Sequence, residues 1–141
     1  MIAVDSNVLL RYLLADDEIQ AKKAAKLIDS HPAVFLSHVV LVETVWTLKG
    51  KKYKQTPEQI DNVITALFEE AGIVLQDEDL VWRALVDYRA SAIEQKLKVD
   101  FPDSLIFHVG KDAAEQHGEK FDGFYTFDIN ARRAFREAKT P

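Results

Sequence analysis

The sequence contains no cysteine, and this absence excludes disulfide bonds, zinc sites built from thiolates and a cysteine nucleophile. It also lacks any apolar run near the roughly 18 residues that a membrane-spanning helix needs. Its N-terminus shows no basic segment followed by an apolar core, so it does not have the pattern of a secretory signal. We therefore expect a soluble cytoplasmic protein with no membrane partner.

Positive charge is also scarce, because 18 Lys and Arg face 23 Asp and Glu, which gives a net charge of −5. This balance disfavours a protein that coats nucleic acid with basic side chains. An enzyme that acts on nucleic acid through a bound cation stays open, since the metal supplies positive charge that the count omits. With 141 residues, 48% of them hydrophobic, the chain has the size and core-forming material of one domain over residues 1–141.

Short apolar segments alternate with helical patterns along the chain. Strands are predicted at 1–4, 33–37, 73–76 and 123–127, and helices at 6–14, 17–29, 38–50, 56–71, 77–96, from 102 onward, and at 130–139. The helix from 56 has the clearest start, with Thr56 as cap, Pro57 in the first turn and Gln59 completing a capping box. The alternation predicts an α/β fold, a three-layer α/β/α sandwich with a mainly parallel central sheet.

Acidic residues follow the predicted strands or open the predicted helices. Asp5 comes directly after the first strand and Asp128 after the last, while Glu43 lies on the helix after the second strand. Asp103 lies at the opening of a late helix, with Asp100 three residues before it. Because functional crevices of parallel sheets lie beyond the carboxyl ends of the strands, these acids could meet at one edge.

Each acid also has a local explanation. Asp5 and Asp128 could be helix N-caps, and Asp103 suits the positive end of a helix dipole. Glu43 is harder to explain locally, because it lies among apolar residues with no basic residue one turn away, so we expect a cationic partner. Gathered acids would repel one another unless a cation relieved them, and all-oxygen ligands suit Mg²⁺ or Mn²⁺. Such ions promote hydrolysis of phosphodiesters.

Four segments together resemble a known family: "MIAVDSNVLLRYLL", "LVETVWTL", "VDFPDSLI" and "YTFD". In order and spacing they are similar to the PIN-domain proteins, above all to the VapC-type ribonuclease toxins of bacterial toxin–antitoxin pairs. The resemblance covers essentially the whole chain and implies a parallel sheet between helices. It further implies an RNA substrate, a cognate antitoxin protein that holds the enzyme inactive, and a homodimer.

The resemblance also implies roles for individual residues. Asp5, Glu43, Asp103 and Asp128 match the four family acids, which would form the catalytic site and hold Mg²⁺ or Mn²⁺. Asp100 stands where some relatives carry a further acid and is an auxiliary ligand. Two polar residues beside the acids would orient them, namely Asn7 and Thr126. One departure is the proline of "DFPDS", where relatives more often have a small residue.

Two basic stretches are candidates for contacts with RNA. The first contains Lys49, Lys51, Lys52 and Tyr53, and the second contains Arg132 and Arg133. Phosphate contacts and aromatic stacking are what single-stranded RNA offers a protein. For the first stretch a solvated loop is the favoured explanation. For the second, favourable charges at the end of a helix explain the arginines as well as RNA contact does.

Two other functions stay open at this stage. One is a non-catalytic module that binds a partner through the same fold. The other is a receiver-like phosphoacceptor domain, which also carries acids at strand ends. A receiver needs an acceptor Asp at the end of a middle strand, whereas the middle strand here ends in Gln76. A nuclease directed at DNA is a further variant of the enzymatic reading.

Overall fold

The computed structural model describes all residues from Met1 to Pro141, and contacts divide the chain into two compact units. Unit 1 is Met1–Gln76 and unit 2 is Asp77–Pro141. None of the helices combines the length and apolar character needed to cross a bilayer. The prediction of one domain over residues 1–141 stays a prediction.

Unit 1 is built on a parallel sheet of three strands in the order β1-β2-β3. Its elements are β1 (Ile2–Ala3), α1 (Ser6–Leu14), α2 (Glu18–Asp29), β2 (Val34–Leu36), α3 (His38–Lys49), α4 (Pro57–Glu69) and β3 (Ile73–Leu75). The register places Ile2 opposite Val34, and Val34 opposite Ile73. Because the strands are parallel, α1 and α3 both begin at the edge of the sheet where β1 and β2 end.

The helices of unit 1 begin where short polar side chains satisfy their first N–H groups. Ser37 caps α3, and Thr56 and Gln59 form the predicted capping box of α4. Fully buried leucines and isoleucines form the interior, among them Leu9, Leu36 and Ile60. The segment after β2 is helical as predicted, although its β-branched residues lower its intrinsic helix propensity.

Unit 2 contains α5 (Glu78–Tyr88), a π-helical segment (Arg89–Glu94), α6 (Phe101–Gln116), β4 (Phe124–Tyr125), α7 (Ile129–Ala134) and β5 (Ala138–Lys139). Helices α5 and α6 pack together, and buried Ser104 donates a 2.7 Å hydrogen bond to the carbonyl of Ala84. Strands β4 and β5 pair in parallel. The predicted α/β class with parallel strands is therefore confirmed.

Two helix predictions in unit 2 are wrong in extent. The long helix predicted to Lys96 is α-helical only to Tyr88, after which the backbone is π-helical. The closing helix predicted to Lys139 ends at Ala134, because Phe135 is extended and buried against Phe107, with stacked rings 4.9 Å apart. Burial of this aromatic ring ends the helix, and the following residues form β5 instead.

Candidate active site

Unit 1 brings the first two candidate acids to the edge where its strands end. Asp5 follows β1 and caps α1, accepting a hydrogen bond of 2.9 Å from the backbone N–H of Val8 through Oδ1. The next residue, Ser6, donates its hydroxyl to Oε2 of Glu43 at 2.7 Å. This hydrogen bond ties the start of α1 to α3. Asp5 and Glu43 are thus linked through adjacent residues of one helix start.

Glu43 is exposed, so it does not need the cationic partner that was expected for a buried carboxylate. The apolar residues around it in sequence face inward, as buried Leu41 and Val45 show, and the carboxylate itself points away from them. Its contact with Ser6 was missed by sequence reasoning. The only signal for it was the position of Ser6 directly after the first acid, and that signal is weak because Ser is common at helix starts.

Unit 2 brings together the other three acids. Asp100 is the N-cap of α6 and Asp103 its third helical residue, and the two form a reciprocal capping box. Oδ1 of Asp100 accepts from the N–H of Asp103 at 3.1 Å, and Oδ2 of Asp103 accepts from the N–H of Asp100 at 2.9 Å. Asp128 caps α7, and its Oδ1 accepts from the N–H groups of Asn130 and Ala131.

The electrostatics of unit 2 single out Asp103. The pKa of its carboxyl group is raised from 3.8 to about 6, and burial is the largest cause. The backbone hydrogen bond from Asp100 lowers this pKa, whereas the side chain of Asp100 and the charge of Asp128 contribute to the rise. The negative charges of Asp100 and Asp128 therefore act on Asp103, although its burial is the larger effect. A bound cation would offset their repulsion, which is the property that a metal-binding donor set needs.

The polar neighbours of the acids differ in what they contact. Thr126 accepts a hydrogen bond of 3.0 Å from the N–H of Asp128 through Oγ1, so it fixes the turn that presents this acid. Asn7 lines a cavity beside Asp5 and is exposed, and its side chain makes no hydrogen bond to an acid. The orienting roles of Thr126 and Asn7 both stay predictions.

The basic candidates are partly engaged with an acid of their own unit. Tyr53 donates its hydroxyl to Oδ2 of Asp16 at 2.5 Å, and Nζ of Lys52 lies 3.6 Å from the same oxygen. Arg11 binds the other oxygen of Asp16 at 2.8 Å. The loop is therefore anchored by Asp16, and the hydroxyl of Tyr53 is not available to a ligand.

The remaining basic candidates lie at other positions. Lys51 is exposed and Lys49 is half-buried, while Arg132 and Arg133 are exposed on α7 in unit 2. Arg132 donates to the hydroxyl of Thr140. Within neither unit do three acids or histidines stand together at a spacing suited to a metal ion. Each unit thus supplies part of the predicted acid set.

Comparison with protein families gives a match to the PIN domain over residues 2–134. No curated protein matches the sequence. Among solved structures, the chain is similar to the crystal structure of Mycobacterium tuberculosis VapC20, described as a toxin that cleaves the sarcin–ricin loop. That similarity covers 95% of both chains at 23% identity with a TM-score of 0.42. A TM-score this low does not by itself establish a shared fold.

Proposed function

The chain belongs to the PIN domain family, and from this premise we propose that it is a ribonuclease dependent on Mg²⁺ or Mn²⁺. The acids of the proposed site are Asp5, Glu43, Asp103 and Asp128, with Asp100 as an auxiliary ligand. The observation that supports the proposal is geometric: Asp103 is half-buried and forms a reciprocal capping box with Asp100, so two carboxylates share the start of α6. Burial and the nearby like charges both disfavour the ionised carboxylate of Asp103, and a bound cation would offset both effects.

The donor chemistry of the acids supports the same proposal. Asp5, Asp103 and Asp128 each use one carboxylate oxygen to cap or staple a helix start, which fixes the direction of the group. For Asp5 and Asp128, the second oxygen would be available to a ligand. Glu43 likewise uses Oε2 for Ser6. Hard divalent cations take such oxygens, and when bound they supply Lewis-acid activation of water and neutralise charge on a phosphodiester.

In this proposal the side chains bind and orient, and none of them forms a covalent bond to the substrate. The capping hydrogen bonds hold the carboxylates of α1, α6 and α7 in fixed rotamers, so little reorganisation accompanies metal binding. RNA contacts would come from the lysines of residues 49–52 and from Arg132 and Arg133.

The biological role in the proposal follows the family resemblance of the four acidic segments. We propose the toxin of a type II toxin–antitoxin pair, restrained by a cognate antitoxin protein, dimeric with a second copy of itself, and acting in the cytoplasm. The absence of cysteine suits a compartment that keeps thiols reduced. Light scattering of the purified chain tests the dimer, and co-purification with the product of the neighbouring gene tests the antitoxin.

The decisive experiment combines cleavage with metal binding. Defined single-stranded RNAs and matched DNAs are incubated with Mg²⁺, Mn²⁺ or EDTA, and the products are separated on a gel. RNA cleavage that needs the metal is expected, and Asp5→Asn and Asp103→Asn are each expected to abolish it. Asp29→Asn and Asp122→Asn, exposed acids of the two units outside the set, are the matched controls.

Binding of Mn²⁺, followed by electron paramagnetic resonance, tests whether Asp5 and Asp103 contribute to metal binding. Asp5→Asn and Asp103→Asn should each weaken it, while the two controls should not. If full cleavage persists in Asp5→Asn and Asp103→Asn, the assignment fails. If RNA is bound but never cleaved and Mn²⁺ does not bind, the chain is a non-catalytic module.

The receiver-like alternative loses its support. Strand β3 ends at Leu75, and Gln76 follows it where a receiver would carry its phosphoacceptor. The side chain of Gln76 instead accepts a hydrogen bond of 2.9 Å from the N–H of His38, so it serves the start of α3. Membership of the PIN domain family agrees with this local assignment.

A further inference from the structure

A cavity of about 330 Å³ lies between α1 and α2 in unit 1, and Asp5 forms part of its wall. Three of its lining residues are apolar, Val8, Ala24 and Leu27, and we call them the floor. Leu27 is a large apolar side chain that is 38% exposed, so a ligand in the cavity would remove part of it from water. The floor therefore offers a flat apolar group a favourable contact.

The polar lining residues, which we call the rim, carry one negative charge, that of Asp5, and two positive charges. Arg11, Gln20 and Lys23 contribute to it. Arg11 uses Nη1 to bind Asp16, and the other donors of its guanidinium group remain. Lys23 and Gln20 are exposed. This arrangement attracts an anion to the rim and offers an amide for hydrogen bonds to a polar edge.

An unpaired nucleotide has the features that this cavity would recognise. Its base has two apolar faces and a polar edge, and its phosphates are anionic. The volume is at the small end of the range for ligand pockets, which suits a single nucleotide and not the length of a helix. The position beside Asp5 places such a nucleotide next to a proposed metal ligand.

Building on the ribonuclease function proposed above, we propose that this cavity receives the base of one unpaired nucleotide of the RNA substrate, next to the phosphodiester that is cleaved. The base lies on Leu27 and Ala24, and the amide of Gln20 meets its edge. Arg11 and Lys23 hold the adjoining phosphates. The cavity would thus give the enzyme a preference at one substrate position.

The first test measures RNA binding in the cleavage-deficient Asp103→Asn background, whose substitution lies in unit 2. Fluorescence anisotropy in Mg²⁺ buffer compares a single-stranded RNA with the same RNA carrying one abasic ribose beside the mapped cleavage position. Leu27→Ala is expected to weaken binding of the intact RNA about 5-fold and to leave binding of the abasic RNA unchanged. Ile19→Ala, another exposed apolar residue of α2 outside the cavity, is the control.

The second test uses charge. Lys23→Ala should lower the slope of log affinity against log salt by about 0.7, the contribution of one phosphate contact to a single strand. Lys22→Ala removes the same charge from the neighbouring residue, which lies outside this cavity and pairs with Glu18. It should change the slope much less.

The outcomes separate this inference from the function on which it rests. If wild-type protein cleaves no RNA with either metal, the ribonuclease proposal fails and the inference with it. If it cleaves RNA but Leu27→Ala weakens intact and abasic RNA equally, only the cavity assignment is overturned. If neither Leu27→Ala nor Lys23→Ala changes RNA binding, the assignment of the cavity to a nucleotide is likewise overturned.

Discussion

Replacing Asp103 by Asn is expected to stabilise the metal-free protein while abolishing cleavage. The carboxylate is half-buried and lies close to the charges of Asp100 and Asp128, and these conditions raise its pKa to about 6. At neutral pH the folded protein therefore holds an ionised group in a place that disfavours it. Asparagine keeps an oxygen that can accept the hydrogen bond from the N–H of Asp100, but it carries no charge.

The magnitude follows from the pKa. A rise from 3.8 to about 6 corresponds to roughly 3 kcal/mol for a fully desolvated group. Because Asp103 is only half-buried, solvent screening reduces this to about 1 to 2 kcal/mol. For a chain of this length, such a gain shifts the melting temperature upward by roughly 4 to 8 °C.

The pH dependence has a definite sign. Because the folded-state pKa is raised, Asp103 contributes stability that is fully present below pH 3.8 and is lost as the pH rises through about 6. The difference between Asp103→Asn and wild type should therefore be largest at about pH 8 and should shrink on acidification. Thermal melts in EDTA across this range, with Asp122→Asn as control, measure it.

Metal should reverse the order of stability. Saturating Mg²⁺ or Mn²⁺ relieves the repulsion in wild type and stabilises the folded state by mass action, whereas Asp103→Asn has lost a ligand. Wild type should then gain more in melting temperature than the variant. A variant that melts at or below wild type in EDTA at about pH 8 would refute the reasoning, because the carboxylate would then stabilise the fold without any cation.

Three further predictions concern unit 1. Asp5→Ala removes the cap of α1 and should lower the stability by about 0.5 to 1 kcal/mol in thermal melts. Asp5→Asn keeps the cap, and both variants should lose cleavage. Equal melting temperatures of the two variants would contradict the capping role. Tyr53→Phe should raise the pKa of Asp16 from about 2 toward 3.8, because the hydrogen bond from Tyr53 is the main cause of its lowering, and an NMR titration that shows no change would contradict this. The hydrogen bond to Glu70 is the main cause that raises the pKa of Tyr12 to about 12. Its contribution to the stability of the folded protein is therefore present below pH 10 and is lost as the pH rises through about 12. Glu70→Gln should return this pKa toward 10 in a spectroscopic titration of the tyrosines.

Much of the fold could be predicted because its signals are local. The cap of α4 needs only Thr56, Pro57 and Gln59 in order, and the structure contains this capping box. The strands β1 to β4 likewise lie within their predicted segments, since short apolar runs bounded by turns and caps are readable from neighbours in sequence.

The features that sequence missed depend on distant partners. The end of α7 is decided by Phe135, whose ring is buried against Phe107 and Phe124. Strand β5 exists because β4 pairs with it, so its two residues carry no strand signal of their own. The contact of Ser6 with Glu43 spans 37 positions of the chain, and no local rule connects them.

An acid that caps a helix can also bind a metal ion, so these two explanations of the acids are compatible. A carboxylate has two oxygens, and Asp128 uses Oδ1 for two N–H groups of α7 while Oδ2 makes no hydrogen bond. Asp5 likewise uses Oδ1 for the N–H of Val8, while Oδ2 of Asp103 accepts from the N–H of Asp100. The helix start is therefore what aims the remaining oxygen. Alanine removes both roles and asparagine removes only the charge, so the two substitutions at one position measure the two contributions separately.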